Sequence, residues 1–290
     1  MNEFLKNWLE AVDKKNSVLC AGLDPADFEM GRGGKGLPEG INKRDWAIKY
    51  VTAVAPFCAA IKPNFQYWKD EGDVKTLKEI YDLAKMEGLV VIDDSKLADI
   101  GSTNDAGIFY AAQRADAVTI APYAGNMEEA KKMAEKRDIG AITMCIMSNP
   151  EYEREKAKLV PVDESGYHRP DIKMVDGKPY VHRYIQLAHD AHQYGIDGIV
   201  IGAPSAKNHI EEKEISKVRS YVGDDMLVLL PGVGAQGGEA DAIWKEFDRK
   251  NVIVNVGRSL MFPNGSDSTS EEQAKTAKQY QEMLNKLRAV

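Results

Sequence analysis

The sequence predicts a (β/α)8 TIM barrel, one domain over 1–290 with surface insertions near 26–44 and 151–180. Three observations predict it. Eight short apolar runs recur along the 290 residues, with a helical pattern between each and the next. The runs are apolar at successive positions, as parallel strands covered on both faces must be. Polar residues capable of chemistry gather just after the runs, at the end where barrels of this class hold their sites. A doubly wound open sheet competes, but its Gly-rich turn belongs after the first strand, and here that turn follows the seventh.

Each element has a local reason. Phe4, Leu5, Trp8, Leu9 and Val12 recur at helical spacing and open the chain with an amphipathic helix. The first strand, 17–23, ends at Asp24-Pro25. Residues 26–44 break the pattern, with Gly31, Gly33, Gly34 and Gly36 crowded together. Lys35 is followed by Gly36 rather than Ser or Thr, so this is no P-loop and reads as a mobile surface insertion. Ala47, Val51, Val54 and Ala55 mark a helix before the short second strand, 59–62. Val74, Leu77, Tyr81 and Ala84 mark another before the third strand, Leu89 to Ile92. A helix at 105–114, a strand at 117–121, a helix at 126–136 and a strand at 140–147 follow, the last ending at Ser148. Residues 151–180 are charged, contain prolines and lack an apolar period, and a stretch this long is a lid or a surface excursion. Helix 184–194, strand 198–202, helix 211–222 and strand 226–230 restore the alternation. The loop from Pro231 to Gly238 comes next, then a helix at 239–247 and the last strand, 252–256, which runs into Gly257-Arg258-Ser259. Ala277, Tyr280, Leu284 and Leu287 share one face of a closing helix.

Bulk properties narrow the function. A net charge of −7, with no long run of Lys and Arg, argues against a nucleic-acid surface. No stretch approaches the ~18 apolar residues of a membrane span, and residues 1–14 carry charges rather than a signal-peptide core. Cys20, Cys58 and Cys145 lie in apolar contexts without close spacing, as reduced, buried thiols of a cytoplasmic protein do. His182, His189 and His192 fall near one helical face, but no carboxylate or cysteine completes a familiar set, so no metal site is expected.

The chemistry centres on Asp94-Ser95-Lys96-Leu97-Ala98-Asp99. On a strand, residues two apart share a face, so Asp94 and Lys96 point the same way. Carboxylates and an ammonium at the mouth of a buried strand are costly to desolvate unless they pair. Other strand ends of the same barrel face carry Asp24, Lys62, Ser148, the Pro231 loop and Gly257-Arg258. Each alone has a structural reading, as turn former or snorkelling lysine. Together at one face they describe a site. Glycine turns after the seventh and eighth strands match the usual phosphate site of these barrels, and the Arg258 fork suits phosphate oxygens. The expected ligand therefore carries a phosphate at one end and reacts near Lys96 at the other.

These residues resemble the orotidine 5′-monophosphate decarboxylase family over nearly the whole chain, in its longer bacterial-type subgroup. The likeness rests on Asp94 to Ile100, on Ala60-Ile61-Lys62, on Pro231 to Gly238 and on Val256-Gly257-Arg258-Ser259. The D-x-K-x-x-D pattern is shared with sugar-phosphate enzymes of the superfamily; the Gln-bearing glycine loop is more specific. The resemblance implies cofactor-free, metal-free decarboxylation of orotidine 5′-monophosphate to UMP, the last step of de novo pyrimidine synthesis. It implies that Lys96 protonates C6 and Asp94 faces the substrate carboxylate, with Lys62 and Asp99 completing a Lys–Asp–Lys–Asp row. It implies that Asp24 holds ribose hydroxyls, Ser148 meets the pyrimidine, Gln236 bridges towards the phosphate, and Pro231 belongs to the glycine loop that closes over the phosphate gripped by Gly257 and Arg258. It further implies a homodimer in which Asp99, Ile100 and Thr103 reach the neighbouring site. Gly101 stands where the family often has proline, which is expected to loosen the turn carrying Thr103. Alternatives are a magnesium-dependent sugar-phosphate decarboxylase or aldol synthase, disfavoured because Lys62-Pro63-Asn64 lacks the second carboxylate, a Schiff-base aldolase and a non-catalytic phosphate-ligand-binding barrel.

Overall fold

The structure, a computed structural model, describes residues 3–233 and 240–289. Helix α1 (Glu3–Lys15) precedes strand β1 (Leu19–Leu23), and α2 (Lys43–Val54) leads into β2 (Ala60–Pro63). Helix α3 (Asp73–Met86) precedes β3 (Val90–Leu97), α4 (Gly101–Ala112) precedes β4 (Ala117–Ile120), and α5 (Met127–Glu135) precedes β5 (Gly140–Ile146). The excursion after β5 contains α6 (Tyr152–Ala157) and strands β6 (Leu159–Pro161), β7 (Lys173–Val175) and β8 (Lys178–His182). Then come α7 (Arg183–Gln193), β9 (Gly198–Ile201), α8 (Glu212–Tyr221), β10 (Leu227–Pro231), α9 (Asp241–Trp244), β11 (Val252–Val256), α10 (Arg258–Met261) and α11 (Ser270–Leu287).

Strands β1, β2, β3, β4, β5, β9, β10 and β11 close in that order into a barrel, every neighbouring pair parallel. This is the expected (β/α)8 architecture. The apolar runs fill the barrel and its contact with the helices; residues 19–23, 60–63 and 140–146 are buried throughout. Helix α1 covers the N-terminal mouth. Trp8 is fully buried there and donates from Nε1 to the Lys250 carbonyl at 2.6 Å. Phe4 presses on Gly140, the first residue of β5, where an added Cβ would lie 2.3 Å from the ring. With that mouth covered by α1, the strand-end polar residues face a cavity at the C-terminal mouth.

Three sequence expectations change. The helix expected over 239–247 is shorter within the described residues, spanning Asp241–Trp244. The 151–180 stretch is not structureless: β6, β8 and β7 form a small antiparallel sheet, and none of its residues lines the cavity at the barrel mouth. It is therefore a surface excursion rather than a lid. The 26–44 insertion is not merely surface. It folds back through the Leu37 N–H, which donates to Ala26 O at 2.8 Å, and it reaches the cavity described below.

Candidate active site

The C-terminal barrel mouth encloses a cavity of about 390 Å³. Asp24, Lys62, Asp94, Lys96, Ser148, Pro231, Gly257 and Arg258 all line it, as the strand-end positions predict. Strand β1 delivers Asp24, β2 carries Lys62, β3 carries Asp94 and Lys96, and β11 runs into Gly257-Arg258. The last approach needs Gly22: a Cβ there would sit 2.9 Å from Gly257 Cα, forcing β1 away from the turn that carries Arg258.

At the centre two lysines share one carboxylate. Lys62 Nζ donates to Asp94 Oδ2, and Lys96 Nζ donates to Asp94 Oδ1 at 2.7 Å. Lys62 and Asp94 are almost wholly buried, whereas the Lys96 side chain is 39% exposed and faces the cavity. Burial would push the Asp94 carboxyl up, but Lys62 and then Lys96 overcome it and hold the group well below the usual carboxylate range. Burial would likewise push Lys62 down; Asp94 and then Asp24 outweigh it and keep the ammonium form beyond its ordinary range. The trio retains one net positive charge, which suits an incoming monoanion.

The strand geometry that brings Asp94 and Lys96 together is irregular. The β3–β4 register shifts between Asp93 and Leu97, and Lys96 has φ +49°. This left-handed backbone is fixed by Thr119 of β4. The Lys96 N–H donates to Thr119 Oγ1 at 2.9 Å, and the same hydroxyl donates to Asp94 Oδ1 at 2.9 Å. One buried hydroxyl thus sets both the backbone of one charged residue and the carboxylate of the other. The shared-face expectation names the right contact, but a bulge and its hydroxyl clamp produce it rather than simple alternation.

Beside the charged trio, Asp24 Oδ1 and Asn255 Oδ1 are buried without a hydrogen-bond partner, and both residues line the cavity. Orphaned acceptors of this kind call for donors. Sugar hydroxyls are suitable ones. Asn64, which donates weakly to Asp24 Oδ2 at 3.4 Å, also lines the cavity. Arg258 stands at the start of α10 on the cavity wall. Gln236 lies outside the described residues.

Asp99, Ile100 and Thr103 do not line this cavity. The Asp99 carbonyl accepts from Asn104 Nδ2 and, at 2.9 Å, from Asn126 Nδ2. Asp99 and Thr103 line a second, more apolar cavity of about 750 Å³, and Lys96 belongs to both. The Gly101 departure acts opposite to expectation. Gly101 has φ +52°, and its N–H donates to Glu129 Oε2 at 3.0 Å. A proline could supply neither that angle nor that donor, so glycine fastens this turn.

Sequence reasoning missed Thr119, Asn64, Asn255, Arg32 and Lys35. A polar residue inside an otherwise apolar strand, such as Thr119 or Asn255, was the available signal. The three histidines serve local packing. His189 stacks on Tyr167 with centroids 4.2 Å apart, His182 Nδ1 meets the Ala157 carbonyl, and the His192 ring lies against Gly223.

Comparison with known proteins follows the same lines. Residues 17–272 match the family model described as "Orotidine 5'-phosphate decarboxylase / HUMPS family". An orotidine 5′-phosphate decarboxylase of Bordetella avium is 30% identical over 98% of this chain and 99% of its own. One from Halorubrum lacusprofundi is 28% identical over 93% of this chain and 92% of its own. The OMP decarboxylase structure of Leishmania donovani superimposes with TM-score 0.72 at 21% identity, covering both chains fully. That of Methanocaldococcus jannaschii, complexed with inhibitor BMP, gives 0.63 at 24% identity over 92% of this chain and 98% of its own.

Proposed function

The chain belongs to the orotidine 5′-phosphate decarboxylase / HUMPS family, and from that premise we infer that it decarboxylates orotidine 5′-monophosphate to UMP and carbon dioxide. The observation that carries the reading is the buried Asp94 shared by Lys62 and Lys96, in one cavity with Arg258.

The proposed chemistry takes the roles that the resemblance implies for these residues, and their placement around one cavity supports it. The substrate phosphate is held at Gly257 and Arg258, and Asp24 with Asn255 accepts from ribose hydroxyls. Ser148 meets the pyrimidine. The substrate carboxylate is placed against Asp94, whose negative charge disfavours the ground state and not the neutral carbon dioxide leaving. As the C6–carboxylate bond breaks, its electron pair stays on C6. The Lys96 ammonium stabilises that charge and delivers its proton to C6, and the lysine then regains a proton from solvent. Lys62 keeps Asp94 ionised throughout.

The shared-site dimer is part of the same proposal. It is supported by the second cavity beside Lys96, lined by Asp99, Thr103 and the exposed Tyr110. Light scattering at assay concentration is expected to give a dimer, and a monomer with full activity would remove the shared-site claim.

The sugar-phosphate alternatives are disfavoured by Lys62, which sits where a second carboxylate would be needed. The deciding experiment follows the orotate chromophore of orotidine monophosphate with EDTA-treated protein beside Lys96→Ala. Loss of absorbance with the unsubstituted protein alone supports the reading. No turnover, followed by activity on a sugar phosphate with magnesium, would overturn it.

A further inference from the structure

The insertion after β1 adds two cations to the cavity, Arg32 and Lys35. Other cations at the end of this insertion are already committed. Lys43 pairs with Asp27 and Asp73, both at 2.9 Å, and Arg44 with Glu79 at 2.6 Å. Arg32 and Lys35, like Arg258, have no carboxylate within ion-pair distance among the described residues, in a chain with 45 acidic side chains.

The insertion is held in place rather than adrift. Its base is closed by the Leu37–Ala26 bond, and Leu37 is buried. Its tip is tied to the segment beyond Arg258, where Ser266 Oγ donates to Gly33 O at 3.2 Å and Gly34 packs against Gly265. The two cationic arms are therefore parts of one hydrogen-bonded unit.

Charge counting shows what this unit fits. Five cationic side chains line the cavity (Arg32, Lys35, Lys62, Lys96 and Arg258) against two carboxylates, Asp24 and Asp94. The described wall is thus left with three positive charges. One belongs to the Lys62–Asp94–Lys96 trio and answers the substrate carboxylate. A phosphate monoester carries about −1.5 to −2 at neutral pH, more than Arg258 alone neutralises. We propose that Arg32 and Lys35 form a second phosphate-recognition arm, making the insertion a determinant of specificity for the 5′-phosphorylated substrate. This rests on the decarboxylase reading of the site and assigns to it residues outside the strand ends.

The test is calorimetric titration of UMP and of uridine into the full-length protein, the Arg32→Ala/Lys35→Ala double variant, Arg258→Ala and Arg32→Lys. Melting temperature checks that each variant is folded. The double variant is expected to lose about 10–100-fold in UMP affinity, from two lost charge-assisted contacts, and none in uridine affinity. Its UMP binding should also depend less on ionic strength, and Arg32→Lys should recover part of the loss. UMP affinity within twofold of the unsubstituted protein overturns the proposal, as does an equal loss for uridine, which would mean that the insertion shapes the nucleoside pocket. If Arg258→Ala loses UMP affinity and the double variant does not, only this proposal falls. If the unsubstituted protein binds no UMP, the decarboxylase reading falls and takes the proposal with it.

Discussion

Replacing Thr119 by Val isolates what the β3 bulge contributes to the site. The side chain is fully buried and does not line the cavity, so the change keeps shape and removes only a hydroxyl. Two bonds disappear. The one donated to ionised Asp94 is charge-assisted, worth about 1.5–3 kcal/mol. The other leaves the Lys96 N–H without its acceptor, at about 1–3 kcal/mol if no water replaces it. The left-handed conformation of Lys96 costs roughly 1–2 kcal/mol of its own, so once the clamp is gone the bulge tends to relax. A total near 3 kcal/mol corresponds to a melting point lower by on the order of 5–10 °C for a domain of this size. A Lys96 ammonium displaced by about 1 Å costs ~100-fold in turnover. Steady-state assay should therefore show kcat down about 10–100-fold with KM little changed, because the substrate contacts remain. Thr119→Ser should recover most of the loss. A Val variant with kcat within twofold of the unsubstituted protein would refute the clamp, and a Ser variant as impaired as Val would assign the effect to the methyl group.

Further predictions concern charge, thiols and the Gly101 turn. Asp94 is held below its ordinary pKa, so its pairing stabilises the fold above the unfolded value of about 4 and is lost as pH falls towards the folded one. Lys62 is raised, so its share is present below about 10.5 and lost only as pH climbs through the higher folded value. Asp94→Asn should abolish turnover, lower stability at neutral pH and flatten the acid limb of the melting profile; an unchanged acid limb would place the titrating group elsewhere. Burial pushes Cys20 and Cys145 up to about 12 and raises Cys58 as well. A thiol reagent should label none of the three in the native protein and all in denaturant, and rapid native labelling would contradict their burial. Gly101→Pro should destabilise by roughly 1–3 kcal/mol, because a fixed φ near −65° cannot reach +52° and the N–H that Glu129 accepts is lost. A melting point equal to or above that of the unsubstituted protein would show that the turn tolerates another path.

The barrel was legible in the sequence because its signals are local. Runs such as Leu89 to Ile92 and Leu227 to Leu230 are apolar on both faces, and their alternation with helical patterns marks them as covered parallel strands. The placement of Asp24, Lys62, Asp94, Lys96 and Arg258 was legible too, since the C-terminal end of a strand is a position in the chain, and barrel closure brings those ends together. What sequence could not supply were contacts made across strands and between insertions. Thr119 touches Asp94 and Lys96 from 25 and 23 residues away, and that meeting depends on the β3–β4 register and its bulge. Spacing along one strand does not encode either. Arg32 and Lys35 read as surface residues until the fold carried their insertion back over the mouth and tied it to Ser266, 233 residues from Gly33. Sequence alone determined which residues each strand presents at its end. The closed barrel decided which of them meet, because hydrogen-bond register and loop return are settled only when all eight strands pack at once.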